Sequence, residues 1–401
     1  LRIVGLRCTI ASSGGNRSVI MRWVRCYILA CLLLSAATIA AIPINLPAYT
    51  TPYYTIYTDL SKDDAREAAI RMTKMAEEYH DRTRGFSGAI TQRMPFYLYK
   101  DPEEFYASGA PRGSAGYFDG QELVAMAGDL GPRTWQVVQH EGFHQFAHQV
   151  IRGTLPIWLD EGLAEYFGEA VFTGDGFVSG VIPPWRLKRI RETLAAGKFK
   201  PIDEMMNLSH EQWNSELAVV NYDQGWSMVH FLAHGENGRY QRPFVAFMIE
   251  LGRNQPWKRA WADTFGDTQG FEQHWRTYWS NLPDNPTADL YAKAETQTLT
   301  SFLARAVSQH EKFDSFDDFK TAAADGKLVA NSDDWLPPAL LSEALKHVDD
   351  FVQNGYSFEM VSSGKGLPQL MCTMPDGRKV IGKFTLRGNR VGTIDAEIVT
   401  K

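Results

Sequence analysis

Hydrophobic and polar positions change period several times along the chain, and each change marks an element. Tyr53–Thr58 is β-rich, and Pro95–Tyr99 is a second strand. Between them Ala68, Met72, Met75, Ala76 and Tyr79 recur at helical spacing, behind a capping box made by Ser61 and Asp64. Tyr117 to Val124 reads as a hairpin turning at Asp119-Gly120. The pattern therefore predicts strand, helix, strand and hairpin before residue 130, with a Pro-rich leader over Ile42–Pro52.

From Thr134 to Ile151 the period is helical, and a second helix is expected from Pro156, a residue suited to a first helical turn. Further helices are expected over Pro184–Ala196, Asn221–His234, Arg242–Leu251 and Gly270–Trp279. Asn281–Pro286, with two prolines, is the best domain boundary. Helical segments near Leu299–Glu311 and Leu340–Gln353 follow. A β-meander closes the chain over Tyr356–Val399, with turns at Asp376-Gly377 and Gly388-Asn389. The class is α+β: a mixed sheet with helices, then a helical subdomain over residues 42–288, then a small helical and β-meander region over 289–401.

The chain has 401 residues, 44% apolar and 22% charged, the balance of a globular protein. Its net charge is −6, with Lys and Arg spread along it, which excludes the basic face a nucleic-acid binder needs. Residues 1–41 hold five Arg, no Lys and no acidic residue. Met21–Arg25 reads as a positive n-region, Cys26–Ala36 as an apolar h-region, and Thr38–Ala41 as small residues for cleavage. Residues 1–41 are thus expected to be a signal peptide or N-terminal extension, and the mature chain to be exported to the periplasm, cell envelope or outside. An uncleaved N-terminal anchor is the alternative; no other span qualifies as a transmembrane helix. Of the four cysteines only Cys372 lies beyond this segment, in a predicted strand. That excludes an internal disulfide and a Cys-based metal site from the mature chain.

Residues 140–144 read His-Glu-Gly-Phe-His. On a helix, positions i and i+4 share a face, so His140 and His144 can present two imidazoles to one metal ion. Glu141 sits beside them, placed to take a proton from a water rather than to bind the metal. Gly142 costs the helix about 1 kcal/mol relative to Ala. The next helix carries Trp158-Leu159-Asp160-Glu161-Gly162-Leu163-Ala164-Glu165-Tyr166. Glu161 and Glu165 also share a face, and an antiparallel return lays it against the histidines. Glu161 then completes a His₂Glu set, the catalytic rather than the closed structural kind. Glu165 is placed to accept the free N–H of a ligating histidine. Zn²⁺ is the cofactor inferred from the ligand types; the same set suits other divalent ions.

The pair HEGFH and WLDEGLAEYFG resembles the gluzincin metallopeptidases of the peptidase-MA-like clan. It is most similar to a bacterial domain-of-unknown-function branch with a W-L-x-E-G-x-A-E-Y second motif. The likeness spans about residues 90–285. It implies a zincin-like fold, with His140, His144 and Glu161 as zinc ligands, Glu141 as general base and Glu165 as the orienting carboxylate. Asn221-Tyr222-Asp223-Gln224-Gly225 is similar to the Tyr-x-Lys-Gly element of gluzincin aminopeptidases, which makes Tyr222 the candidate donor to an oxyanion. Gln224 stands where that element has Lys, and a tyrosine tying two helices together is the alternative.

Other residues are set aside. His148 continues the histidine stripe, but four residues on rather than the six of the metzincin pattern, so it is expected to be packed or to support a ligand. His230 ranks below Tyr222 as a residue approaching substrate. Leu123–Ala127 lacks the acid and Asn of the aminopeptidase Gly-x-Met-x-Asn strand, which argues against a dedicated aminopeptidase. It is still expected to be an edge strand for an added peptide. The charges from Asp314 to Lys320 are expected to form a solvated face. The expected function is a zinc metallopeptidase acting on a peptide or protein. The alternatives are an exported cell-envelope scaffold that keeps the fold without catalysis, and a hydrolase of esters or non-peptide amides.

Overall fold

The computed structural model describes residues 46–214, 218–361 and 366–399. The expectations for residues 1–41 fall outside them. Leu46–Lys401 clusters as one unit.

Five strands open the fold: β1 (Ala48–Thr50), β2 (Tyr54–Thr58), β3 (Met94–Tyr99), β4 (Gly116–Phe118) and β5 (Leu123–Met126). They form a mixed sheet in the order β1-β2-β3-β5-β4; β2, β3 and β5 run parallel, and β1 and β4 are antiparallel edges. Helix α1 (Lys62–Thr83) makes the β2–β3 crossover. It starts where the sequence places it, with the Ser61 side chain accepting the Asp64 amide. Its apolar stripe packs with Tyr54, Ile56, Phe96 and Leu98 in one core. Short α2 (Pro102–Ala107) leads to the β4–β5 hairpin, whose turn is held by the Asp119 carboxylate accepting the Gln121 and Glu122 amides. The strand Leu123–Met126 is internal, paired on both sides, so the expectation of an edge there is corrected: β4 is the edge. The reason is the hairpin itself, which folds β4 outward over β5. The Pro-rich leader also supplies an unforeseen strand, β1.

Two helices follow back to back, α3 (Pro132–Val150) and α4 (Ile157–Gly168). A two-stranded ribbon, β6 (Val171–Phe172) with β7 (Phe177–Val178), precedes α5 (Pro184–Ala195). Next come α6 (Ile202–Met206), α7 (His210–Trp213), α8 (Ala218–Gly238), α9 (Gln241–Gly252), α10 (Trp257–Phe265) and α11 (Thr268–Asn281). They pack around a large apolar core that includes Trp158, Trp213, Trp226, Trp261, Trp275 and Trp279, all fully buried.

Helix α12 (Ala288–Ser308) is buried over most of its length, and its Ser301 hydroxyl donates to the Thr173 carbonyl. Beyond it lie α13 (Phe316–Ala324), capped by Ser315, and α14 (Pro338–Gln353). The charged run from Asp314 thus folds into a helix that buries Phe316 and Phe319. The C-terminal meander is a four-stranded antiparallel sheet, β11-β10-β9-β8, from β8 (Ser357–Val361), β9 (Gln369–Thr373), β10 (Lys379–Arg387) and β11 (Arg390–Val399). Cys372 is buried in β9, and burial pushes its thiol up to about 12. Among the described residues no helix is long and apolar enough to cross a membrane.

Candidate metal centre

Gly142 lets α3 approach α1. A Cβ there would lie 3.1 Å from the Tyr79 hydroxyl and 3.2 Å from the Met72 methyl. Tyr79 in turn donates its O–H to the Gln139 carbonyl. The glycine that weakens the helix therefore permits the packing that fixes it, with the His140–His144 face turned toward α4.

On that face three ligand atoms converge. His140 Nε2 and His144 Nε2 lie 3.2 Å apart. Glu161 Oε2 lies 3.3 Å from the first and 3.5 Å from the second. A tetrahedral ion with bonds of about 2.0–2.1 Å separates its ligands by about 3.3 Å. Glu161 Oε2 is buried and faces both Nε2 atoms, so the three share one gap. The three residues are the group that can hold a metal ion among the described residues.

The outer nitrogens set the tautomers. His140 Nδ1 lies 3.1 Å from Glu165 Oε1, as the sequence implies. His144 Nδ1 lies 3.2 Å from Asp160 Oδ2, a partner the sequence reading missed. Each carboxylate accepts a hydrogen bond from Nδ1–H, which keeps the proton on Nδ1 and leaves Nε2 free to bind a cation. The signal for Asp160 was present: Glu165 sits one turn beyond Glu161, beside His140, which leaves the His144 side for the residue before Glu161.

Electrostatics give the same picture. Burial presses His140 down, but hydrogen bonds to Glu161 and Glu165 outweigh it and raise its pKa to about 9. His144 is raised well above its ordinary value, burial being outweighed by Asp160 and Glu161. Glu161 is pulled down to about 2 by the two histidines against burial, and Glu165 to about 2 by Arg186 and His140 against burial.

Arg186, absent from the sequence reading, anchors Glu165. It is fully buried and pairs with Glu165 at 2.6 Å, Glu169 at 2.8 Å and Asp223 at 3.1 Å, with Trp226 under its guanidinium. No local pattern marks it; only the packing of α5 against α4 and α8 brings it there.

Tyr222 stands across the gap. Its ring lies 6.3 Å from that of His140 and edge-on to Trp213. Burial, with the nearby Glu161 carboxylate, raises the phenol and keeps its proton on. It shares an open cleft of about 310 Å³ with Glu141, His140, Arg133 and Gln136. Gln224 does not reach the cleft; its amide clamps both backbone groups of Lys200.

Edge strand β4 borders the cleft beside Glu141. A Cβ on Gly116 would lie 2.7 Å from Val137 Cγ1 and 3.4 Å from Glu141 Cγ. Two further histidines lie away from the cleft. His148 is exposed, edge-on to Phe118, because α3 turns that face outward past His144. His230 is buried, its ring N–H donating to the Gly180 carbonyl among Trp226 and Trp279, and does not reach the cleft.

Residues 135–258 match a family described as protein of unknown function (DUF1570). The match covers about a third of the chain and includes His140, His144, Glu161 and Tyr222. No curated protein matches the chain.

Proposed function

We propose that this protein is a zinc-dependent hydrolase, a metallopeptidase that cleaves peptide bonds outside the cytoplasm. The observation that carries the reading is the spacing of His140 Nε2, His144 Nε2 and Glu161 Oε2, matched to one tetrahedral ion, with each imidazole held from behind by a carboxylate. Three protein ligands leave a fourth position open, as a catalytic zinc requires. Zinc, when bound there, supplies a Lewis acid for a carbonyl and lowers the pKa of water to near 7.

The remaining work falls to the chain's own groups. The Glu141 carboxylate takes a proton from the attacking water and returns it to the departing amine. The Tyr222 O–H, kept protonated by burial, donates to the oxygen on which charge develops. Glu165 and Asp160 hold the two imidazoles in orientation. The free edge of β4, next to Glu141, suits an extended peptide adding as a further strand.

The test pairs metal analysis with turnover. Purified chain is expected to hold about one zinc, and His144→Ala to lose it. The parent is expected to cut a mixed peptide library, while Glu141→Gln keeps the zinc and loses about 10²–10⁴ in rate. Hydrolysis of simple esters but not peptides would replace the peptidase reading. A zinc-loaded chain that turns over neither would favour an envelope scaffold.

A further inference from the structure

A second cavity, of about 990 Å³, opens between α12, α14 and the start of α5 and shares no lining residue with the metal cleft. Its size is that of a pocket for a drug-sized molecule. Its walls combine two chemistries. Trp185, Tyr291, Phe351 and Tyr356 present aromatic surface, and Trp185 is 52% exposed, unusual for so large an apolar side chain. Glu295, Glu343 and Asp350 add carboxylates, and no Lys or Arg lines the space.

Glu295 is the informative member. It is only 6% exposed. One oxygen lies 3.4 Å from His347 Nδ1, a contact that ties α12 to α14. The other, Oε1, is buried with no hydrogen-bond partner among the described residues. A tie between helices needs one oxygen, and leaving the second desolvated and unpaired is costly. Burial accordingly raises the Glu295 carboxyl, against the pull of His347. Glu295 lines the cavity, so a donor arriving there would meet its carboxylate with a charge-assisted hydrogen bond, while the aromatic walls accept an apolar body and favour a nearby cation. An anion would face three carboxylates, against which the lining sets one basic side chain, His347, already paired with Glu295.

We propose that this cavity is a second binding site, for an organic cation: an ammonium or guanidinium head directed at Glu295, on an aromatic or branched apolar body lying against Trp185 and Tyr291. The site stands on its own residues and does not depend on the metal centre being a peptidase.

The experiment titrates the purified chain with 4-phenylbutylamine and, separately, with 4-phenylbutyrate, which carries the same body on the opposite charge. Calorimetry and tryptophan fluorescence follow both at neutral pH. The amine is expected to bind saturably at one site and the carboxylate not to bind. Glu295→Gln is expected to weaken the amine by about tenfold or more. Because a buried substitution can disturb folding, Glu343→Gln with Asp350→Asn, both at exposed positions, provides the second variant, expected to weaken binding severalfold. Equal binding of the two probes, no saturable binding of the amine, or unaltered affinity in both variants would overturn the proposal.

Discussion

Gly162 and Gly225 bring α4 and α8 together backbone to backbone. A Cβ on Gly162 would lie 2.6 Å from the Gly225 carbonyl oxygen and 2.7 Å from Val229 Cγ2. One helix carries Glu161 and Glu165, the other Tyr222, so this crossing sets the width of the candidate site. Gly162→Ala is expected to destabilise the fold by about 1–3 kcal/mol through overpacking. It should also weaken metal binding, as followed by urea unfolding and chelator competition. Gly176→Ala, where a Cβ would meet nothing closer than 3.6 Å, serves as control. Equal tolerance of the two would remove the crossing from the account.

Tyr222→Phe separates the oxyanion role from simple packing. Loss of a preorganised donor is expected to cut turnover by about 10²–10³ while zinc content and the melting temperature stay near those of the parent. A tyrosine that only ties α8 to its neighbours would leave the turnover number unchanged.

Asp160→Asn and Glu165→Gln each keep the size of a side chain and remove a carboxylate behind an imidazole. Each is expected to lower metal affinity about 10–100-fold, measured by competition with a chromophoric chelator. If Asp160→Asn bound metal as the parent does, the His144 contact would be incidental.

Arg186→Met leaves Glu165, Glu169 and Asp223 crowded without their shared cation. Breaking a buried charge network in this way is expected to cost about 3–5 kcal/mol, with Arg186→Lys intermediate. Denaturant midpoints decide it; a change under about 0.5 kcal/mol would show that the carboxylates simply take up protons.

One buried and one half-buried histidine, His230 and His234, predict an acid-sensitive fold. Burial, with His234 beside it, lowers His230 to about 3, and burial, with Arg82, lowers His234 to about 4. Their ordinary value is near 6.5, so below that pH the unfolded chain binds protons that the folded chain refuses. The stability they permit is full above about pH 6.5 and drains as pH falls toward 4, by up to about 1.4 kcal/mol per pH unit for each group. Urea unfolding at pH 7 and pH 5 is expected to show a smaller loss in His234→Phe than in the parent. Parallel losses would mean that other groups carry the acid sensitivity.

The elements whose signals are local were legible. Helix α1 began at its Ser61 cap, the β4–β5 hairpin turned at Asp119-Gly120, and α3 and α4 lay where the 3.6-residue period and Pro156 put them. The i, i+4 pairs His140/His144 and Glu161/Glu165 could be assigned to one face each because helix geometry is the same in every protein. Less was legible where burial overrides pattern: α13 runs through charged positions, and β5 is paired on both sides although its sequence reads as an edge.

What the sequence by itself determined is the set of candidate donors: two imidazoles and three carboxylates on two adjacent helices, whose grouping follows from residue type and helical period. What only the tertiary structure decided is their spacing and support. The 3.2–3.5 Å triangle depends on helices meeting through Gly142 and Gly162, and the orientation of the ligands depends on Asp160 and on Arg186 arriving from α5. Ligand identity is a local property of the chain. Ligand separation to a fraction of an ångström is a property of packing, which sums contacts from residues far apart in sequence.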